Sequence, residues 1–214
     1  MKLISVAGTS SNVGKTAVCE SLLRYLSDPG NKNNTFVTGN VSALKITTRH
    51  QGFCSRGSCG VCDSIKYPFV IVEDDPTINQ EGKDTARLKN AGARKVVWLL
   101  SFPETLADGV SAALDYFDTD ETVVIEGNSF LSVHDVDLSI MVTRPPQKEI
   151  KKSASKIFPK IDTVIINKDN TTSSQQIKDS RNWLKEIGLN SLLVEMNTGK
   201  YDSVLLQDRL FKRL

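Results

Sequence analysis

Short apolar runs alternate with stretches of helical periodicity along almost the whole chain. Leu3–Ala7 is an apolar run that leads into a Gly/Ser/Asn turn, and Lys15–Leu26 then spaces Val18, Leu22 and Leu26 along one face of a helix. Asp28–Asn34 is a clear breaker, and Thr35–Val37 and Ser42–Thr47 read as extended. Further strands are predicted at Phe69–Val72, Lys95–Ser101, Thr122–Ile125, Val136–Val142, Thr163–Ile166 and Ser191–Val194. Helices are predicted at Gly82–Ala91, Pro103–Phe117, Lys148–Ile157 and Ser173–Ile187, with a short amphipathic one at Val204–Leu214. Gln51–Ser64 is rich in Cys and Gly and fits neither period.

Strands that alternate with helices, and that are nearly continuous apolar runs, predict a doubly wound α/β domain. Its sheet is mostly parallel, with helices on both faces. The 214 residues suffice for one such domain, with residues 48–81 as a Cys-rich insertion within it. No internal repeat or interdomain linker interrupts the pattern. Ligands of such sheets bind beyond the carboxyl ends of the strands, where each motif below lies.

Composition narrows the function. The net charge of +2 gives no electrostatic case for nucleic acid or an anionic membrane as partner. No apolar run approaches the roughly 18 residues of a membrane span, and the N-terminal run is too short for a signal peptide. A cytoplasmic location is expected, where clustered cysteines are metal ligands or redox groups more often than disulfides.

The first strand is followed by Gly8, Thr9, Ser10, Ser11, Asn12, Val13, Gly14, Lys15 and Thr16, with Ala17 in the opening turn of the helix. Glycines let such a loop fold tightly and aim its N–H groups at phosphate oxygens, and the helix N-terminus adds partial positive charge. Lys15 can reach the β- and γ-phosphates, and the Thr16 hydroxyl can ligate Mg²⁺. The usual Gly-x4-Gly-Lys-Thr spacing would put glycine at Thr9, but here it stands one place earlier, at Gly8. This longer loop resembles that of dethiobiotin synthetase and its relatives in the SIMIBI class of P-loop proteins.

Val123-Val-Ile-Glu126-Gly127 is an apolar strand ending in an acid, as a Walker B element is; Glu126 can hold Mg²⁺ or polarise an attacking group. Asp84, in Gly82-Lys-Asp-Thr85, is on local physics a helix N-cap. In combination, Gly8–Thr16, Leu44-Lys45, Gly82–Ala93 and Val124-Ile-Glu126-Gly127 resemble the molybdopterin-guanine dinucleotide biosynthesis protein B family. The resemblance covers roughly residues 1–170 and is most specific in the Gly-Lys-Asp block with its following Ala-Gly-Ala. It implies GTP binding with Mg²⁺, slow hydrolysis, a homodimer, and a part in molybdenum-cofactor biosynthesis beside a cofactor-maturation or molybdoenzyme partner. It also places Lys45, Asp84 and Glu126 toward the phosphates and Mg²⁺, with Lys15, Lys45 and Glu126 as catalytic candidates. The family's histidine-rich stretch after the matched lysine is here Ile46-Thr-Thr-Arg-His50. Asn167, in Asn167-Lys-Asp-Asn170, ends a late strand where SIMIBI proteins read the base. It resembles the Asn-Lys-x-Asp guanine signature, with the acid one place early at Asp169.

The insertion carries Cys54, Cys59 and Cys62, a Cys-x4-Cys-x2-Cys spacing that brings three thiolates within reach of one metal. His50 could complete a Cys3His zinc site, or the cysteines could hold an iron–sulfur cluster with an outside fourth ligand. Cys19, among the leucines of the first helix, reads as a small buried hydrophobe. Two other readings stay open: an ATP-dependent ligase like dethiobiotin synthetase, in which Lys45 positions an acidic substrate, and a metal-binding module switched by nucleotide.

Overall fold

The computed structural model describes residues 1–31, 40–49, 68–146, 148–198, 202–206 and 210–211. One sheet of eight strands organises them: β1 (Lys2–Gly8), β2 (Val41–Thr48), β3 (Phe69–Val72), β4 (Val96–Ser101), β5 (Thr122–Glu126), β6 (Leu138–Thr143), β7 (Thr163–Asn167) and β8 (Leu192–Met196). Their spatial order is β3-β4-β2-β5-β1-β6-β7-β8. Every pairing is parallel except that of β3, which adds antiparallel to β4 at the edge. The doubly wound, mostly parallel sheet expected from the sequence is the sheet observed.

Alternation along the strands sends side chains to the two faces, and each face has its own cover. Ile4, Val6, Ala43 and Val124 join Val18, Leu22 and Leu23 of α1 (Lys15–Ser27) and Leu88 of α3 (Asp84–Asn90) in one core. On the other face, Leu44, Val97, Leu99, Val123 and Ile125 pack on Val110 and Ala113 of α4 (Leu106–Leu114). Met141, Val164 and Ile166 pack on Trp183 and Leu184 of α6 (Ser174–Glu186). Burying each of the Val, Leu, Ile and Met side chains among them contributes about 1.5–3 kcal/mol. A reciprocal Ser173–Gln176 capping box starts α6, and Gly188, at φ +81°, lies just past its end.

Some elements differ from the sequence expectation. The helix expected over Lys148–Ile157 is only α5 (Lys152–Ser155), followed by a 3₁₀ turn at Phe158–Lys160 that carries Pro159. The Lys151 N–H is drawn out of any longer helix by the Thr9 carbonyl, 2.8 Å away. The Pro103–Phe117 segment opens as a 3₁₀ turn before α4 begins. A short α2 (Asp75–Ile78), capped by Asp74, lies in residues expected to belong to the insertion. At the C-terminal end α7 spans Ser203–Leu206; Leu206 and Leu210 are buried in the α1-side core, and the Phe211 ring stacks on Tyr25 at 5.1 Å. This end therefore covers the chain's own core. The extended segment expected at Thr35–Val37 lies outside the described residues.

Candidate functional site

The strand order changes direction beside β1. From β1 the chain goes to β2 on one side, and from β5 it crosses to β6 on the other, which opens a crevice at the carboxyl end of β1. The loop from Gly8 to Gly14 fills this position and leads into α1. Gly14 sits at φ +98°, and a Cβ there would lie 2.2 Å from the Asn167 amide nitrogen. At Gly8 a Cβ would come within 2.8 Å of Val13 and 3.0 Å of the Lys15 stem. Glycine is required at both places, by conformation at the first and by close approach at the second. The N-cap Gly14 has no side chain to cap α1, no capping side chain is found among the described residues, and no acid lies in the first turn. The amide donors at the head of this helix are therefore left for an anion from outside the helix.

Loop residues differ in how they are held. Val13 is fully buried in the α1-side core, so it can meet a ligand through its backbone only. Thr9 is fixed to β6, its N–H donating to Val142 O at 2.9 Å and its hydroxyl to Thr143 Oγ1 at 3.3 Å. Ser10 Oγ donates to Ser11 O at 3.3 Å, and Asn12 takes a left-handed φ of 60°, which asparagine tolerates. The Lys15 ammonium bends back over the loop to within 3.5 Å of Ser10 O. Burial pushes its pKa below the ordinary lysine value; Glu126 opposes this, and Lys45 and Lys151 add to it. Ala17, in the first turn, accepts from Ser21 Oγ through its carbonyl at 3.0 Å.

Strand register brings the next two candidates together. Lys45 of β2 lies directly opposite Glu126 of β5, and both point to the face that α1 and α3 cover. Asp84 opens α3, and Thr16 is the second residue of α1. The Thr16 hydroxyl lies 3.2 Å from Asp84 Oδ1 and 3.1 Å from Glu126 Oε1. Lys45 Nζ donates to Asp84 Oδ2 at 2.9 Å and to Glu126 Oε1 at 2.6 Å. Arg87 clamps α3 to α1 through Glu20, with bonds of 3.1 and 2.8 Å. Burial works against the Lys45 charge, but Glu126 and Asp84 outweigh it, and the ammonium holds its proton above the ordinary lysine value. Asp84 is pushed up by its partial burial and down by Lys45; the second effect wins, and its carboxyl lies below the usual carboxylate range.

Glu126 is 2% exposed, and its Oε2 is buried without a hydrogen-bond partner among the described residues. A buried carboxylate oxygen with free lone pairs, beside a hydroxyl and a second carboxylate, is an all-oxygen donor set of the kind Mg²⁺ prefers. Thr16, Asp84 and Glu126 therefore fit the expected cation. Asp84 has no side-chain capping role, since it is the first residue within α3 and the cap position is Lys83.

Asn167 is buried beneath the loop. Its amide nitrogen donates to Val13 O at 2.9 Å and its oxygen accepts from Thr198 Oγ1 at 2.8 Å, so its observed bonds position the loop. The Asp169 carboxylate is engaged locally, by the Thr171 N–H at 2.9 Å, by the Thr171 and Thr172 hydroxyls and by Arg144 at 2.7 Å. The bond from Thr171, then that from Arg144, hold it well below the usual carboxylate range.

Asn128 escapes a sequence reading. Its side chain accepts from Gly8 N at 2.8 Å and donates to Gly8 O at 2.9 Å, extending the β1–β5 ladder beyond the end of β5. Its only signal in the sequence is its place two residues after Glu126. Cys54, Cys59, Cys62 and His50 lie outside the described residues. Cys19 is fully buried, as expected, and burial raises its thiol pKa well above the ordinary value.

No family model matches the chain, and neither does any curated protein. Among solved structures, the MinC:MinD cell division protein complex of Aquifex aeolicus is similar at 13% identity and TM-score 0.46, over 92% of this chain and 82% of that one. The Aquifex aeolicus MinD cell division protein is similar at 13% identity and TM-score 0.44, over 98% and 91% of the two chains. pNOB8 ParA bound to nonspecific DNA is similar at 14% identity and TM-score 0.39, over 90% and 78%. Among the described residues no helix is long and apolar enough to cross a membrane.

Proposed function

We propose that this chain binds a purine nucleoside triphosphate with Mg²⁺ and hydrolyses it slowly. The observation that carries this reading is the Thr16 hydroxyl at the head of α1, held between the Asp84 and Glu126 carboxylates beside Lys15. The amides of the loop and of the first helical turn would take the phosphate oxygens, and Lys15 would neutralise charge that develops on the terminal phosphoryl group. Bound Mg²⁺ would supply charge neutralisation of the phosphates. Glu126 would help hold the cation through its buried oxygen, and Lys45 would stand beside the same phosphoryl group. The Asn128 and Asn167 amides would hold the loop in shape throughout.

GTP as the nucleotide, and a supporting role in molybdopterin guanine dinucleotide biosynthesis with a molybdoenzyme or maturation partner, are the finer form of this reading. They rest on the sequence resemblance to the molybdopterin-guanine dinucleotide biosynthesis protein B family, as does a homodimer. Phosphate release from GTP and ATP, with and without Mg²⁺, tests the reaction. The expected result is slow Mg²⁺-dependent release, lowered at least about tenfold in Glu126→Gln. Release that needs an added acidic acceptor would favour the ligase reading instead, and none from either nucleotide would overturn hydrolysis.

The Cys54–Cys62 spacing supports a zinc ion or an iron–sulfur cluster as a second, separate group. Elemental analysis of anaerobically purified protein should find zinc or iron near stoichiometry, lost in Cys59→Ser. Metal-free protein with titratable thiols would contradict this.

A further inference from the structure

Lys45 and a divalent cation would draw on the same oxygens. The Lys45 ammonium already takes Glu126 Oε1 at 2.6 Å and Asp84 Oδ2 at 2.9 Å, and it is 15% exposed. The Thr16 hydroxyl completes the ring by touching both acids. Two carboxylates this close would repel each other and draw a dication from solution if no cation neutralised them. A partly buried lysine supplies that charge from within the fold, and its register opposite Glu126 leaves it little choice of partner.

We propose that Lys45 is the resident counter-cation of the Asp84–Glu126 pair and excludes free divalent metal from their oxygens, so that metal enters only with a triphosphate. The purpose of this arrangement rests on the nucleotide-binding reading, but the exclusion itself does not. A triphosphate brings enough negative charge to offer Lys45 a second partner. The ammonium can then swing from the carboxylates to a phosphate oxygen while metal takes the vacated lone pairs. Charge within the site is matched at each stage, and the protein ignores metal that arrives alone. Glu126 Oε2, buried and without a partner among the described residues, is the lone-pair donor that Lys45 leaves untouched.

The test uses no nucleotide. Mn²⁺ binding to the full chain is followed by the loss of the free-ion electron paramagnetic resonance signal, for wild type, Lys45→Gln, Lys45→Met and Lys45→Arg. Removing the positive charge should tighten Mn²⁺ binding by about tenfold or more in Lys45→Gln and Lys45→Met. Lys45→Arg should bind as weakly as wild type, and adding Asp84→Asn to Lys45→Gln should reverse the gain, which separates this site from the cysteine loop. Glutamine can still donate to both acids, so Lys45→Gln keeps the test usable if Lys45→Met does not fold. Equal Mn²⁺ affinity in wild type and Lys45→Gln would overturn the proposal. Because no nucleotide is present, that failure would leave triphosphate binding standing, whereas absent triphosphate binding would leave the metal result standing.

Discussion

Lys15 carries the clearest consequence at the scale of a single residue. Its ammonium is held below the ordinary lysine value by burial, whereas a bound triphosphate would favour the charged form. The bound pKa then lies above the free one. Protons are taken up on binding at any pH between the two, and affinity falls as pH rises through the free-protein value. Calorimetry repeated across the alkaline range, in pairs of buffers of different ionisation enthalpy, should show proton uptake that disappears in Lys15→Arg, since arginine stays charged. Buffer-independent heats in the wild type would contradict this account of Lys15. Much of this residue-scale chemistry was legible in the sequence: Gly14-Lys15-Thr16 after an apolar run, and Glu126 at the end of another. Asn128 was not, because a lone asparagine after a strand has no pattern until the fold sets its amide against Gly8. The guanine-like Asn167-Lys-Asp-Asn170 run was legible as a strand exit. The bonds of Asn167 to Val13 and Thr198 and that of Asp169 to Arg144 could not be read there, since those partners are distant in the sequence.

At the scale of elements, the junction of loop, α1 and β7 is the most constrained point. Gly14 has a left-handed backbone, and a Cβ added to it would lie 2.2 Å from the Asn167 amide nitrogen, which in turn holds Val13. Gly14→Ala should lower stability by about 1–3 kcal/mol and also weaken nucleotide binding, because the loop must shift. Gly188, with φ +81° and nothing among the described residues within 4 Å of a Cβ added there, is the control. Gly188→Ala should cost only about 1 kcal/mol of backbone strain and leave nucleotide affinity unchanged. Thermal melts with and without nucleotide distinguish the two, and equal behaviour of both variants would contradict the special role of Gly14. Strand positions were legible because doubly covered strands are apolar runs of the right length. The polar stretch at Lys148–Ile157 was misleading: its helical period is real, but Thr9 captures the Lys151 amide and Pro159 follows, so only α5 forms. The strand at Phe69–Val72 was legible as an apolar run, whereas its antiparallel place beside β4 was not, because strand pairing depends on residues distant in the sequence.

At the scale of the molecule, the order β3-β4-β2-β5-β1-β6-β7-β8 turns separate motifs into one site. It seats β5 between β2 and β1, so Glu126 stands level with both Lys45 and Val6, while α1 and α3 pack side by side over that face. Strand neighbours of this kind are set by long-range pairing and cannot be read from hydrophobic period; the sequence implied a parallel sheet without its order. The resulting seat combines helix-head amides, a partly buried ammonium and an all-oxygen cation set. The most direct measurement is calorimetric titration of GTP and ATP in Mg²⁺ into wild type and Lys15→Ala. The account predicts binding of at least one purine triphosphate by wild type, weakened about 10- to 100-fold or more in Lys15→Ala by loss of charge-assisted bonds to phosphate. Binding of neither nucleotide, or equal affinity in the two proteins, would contradict it.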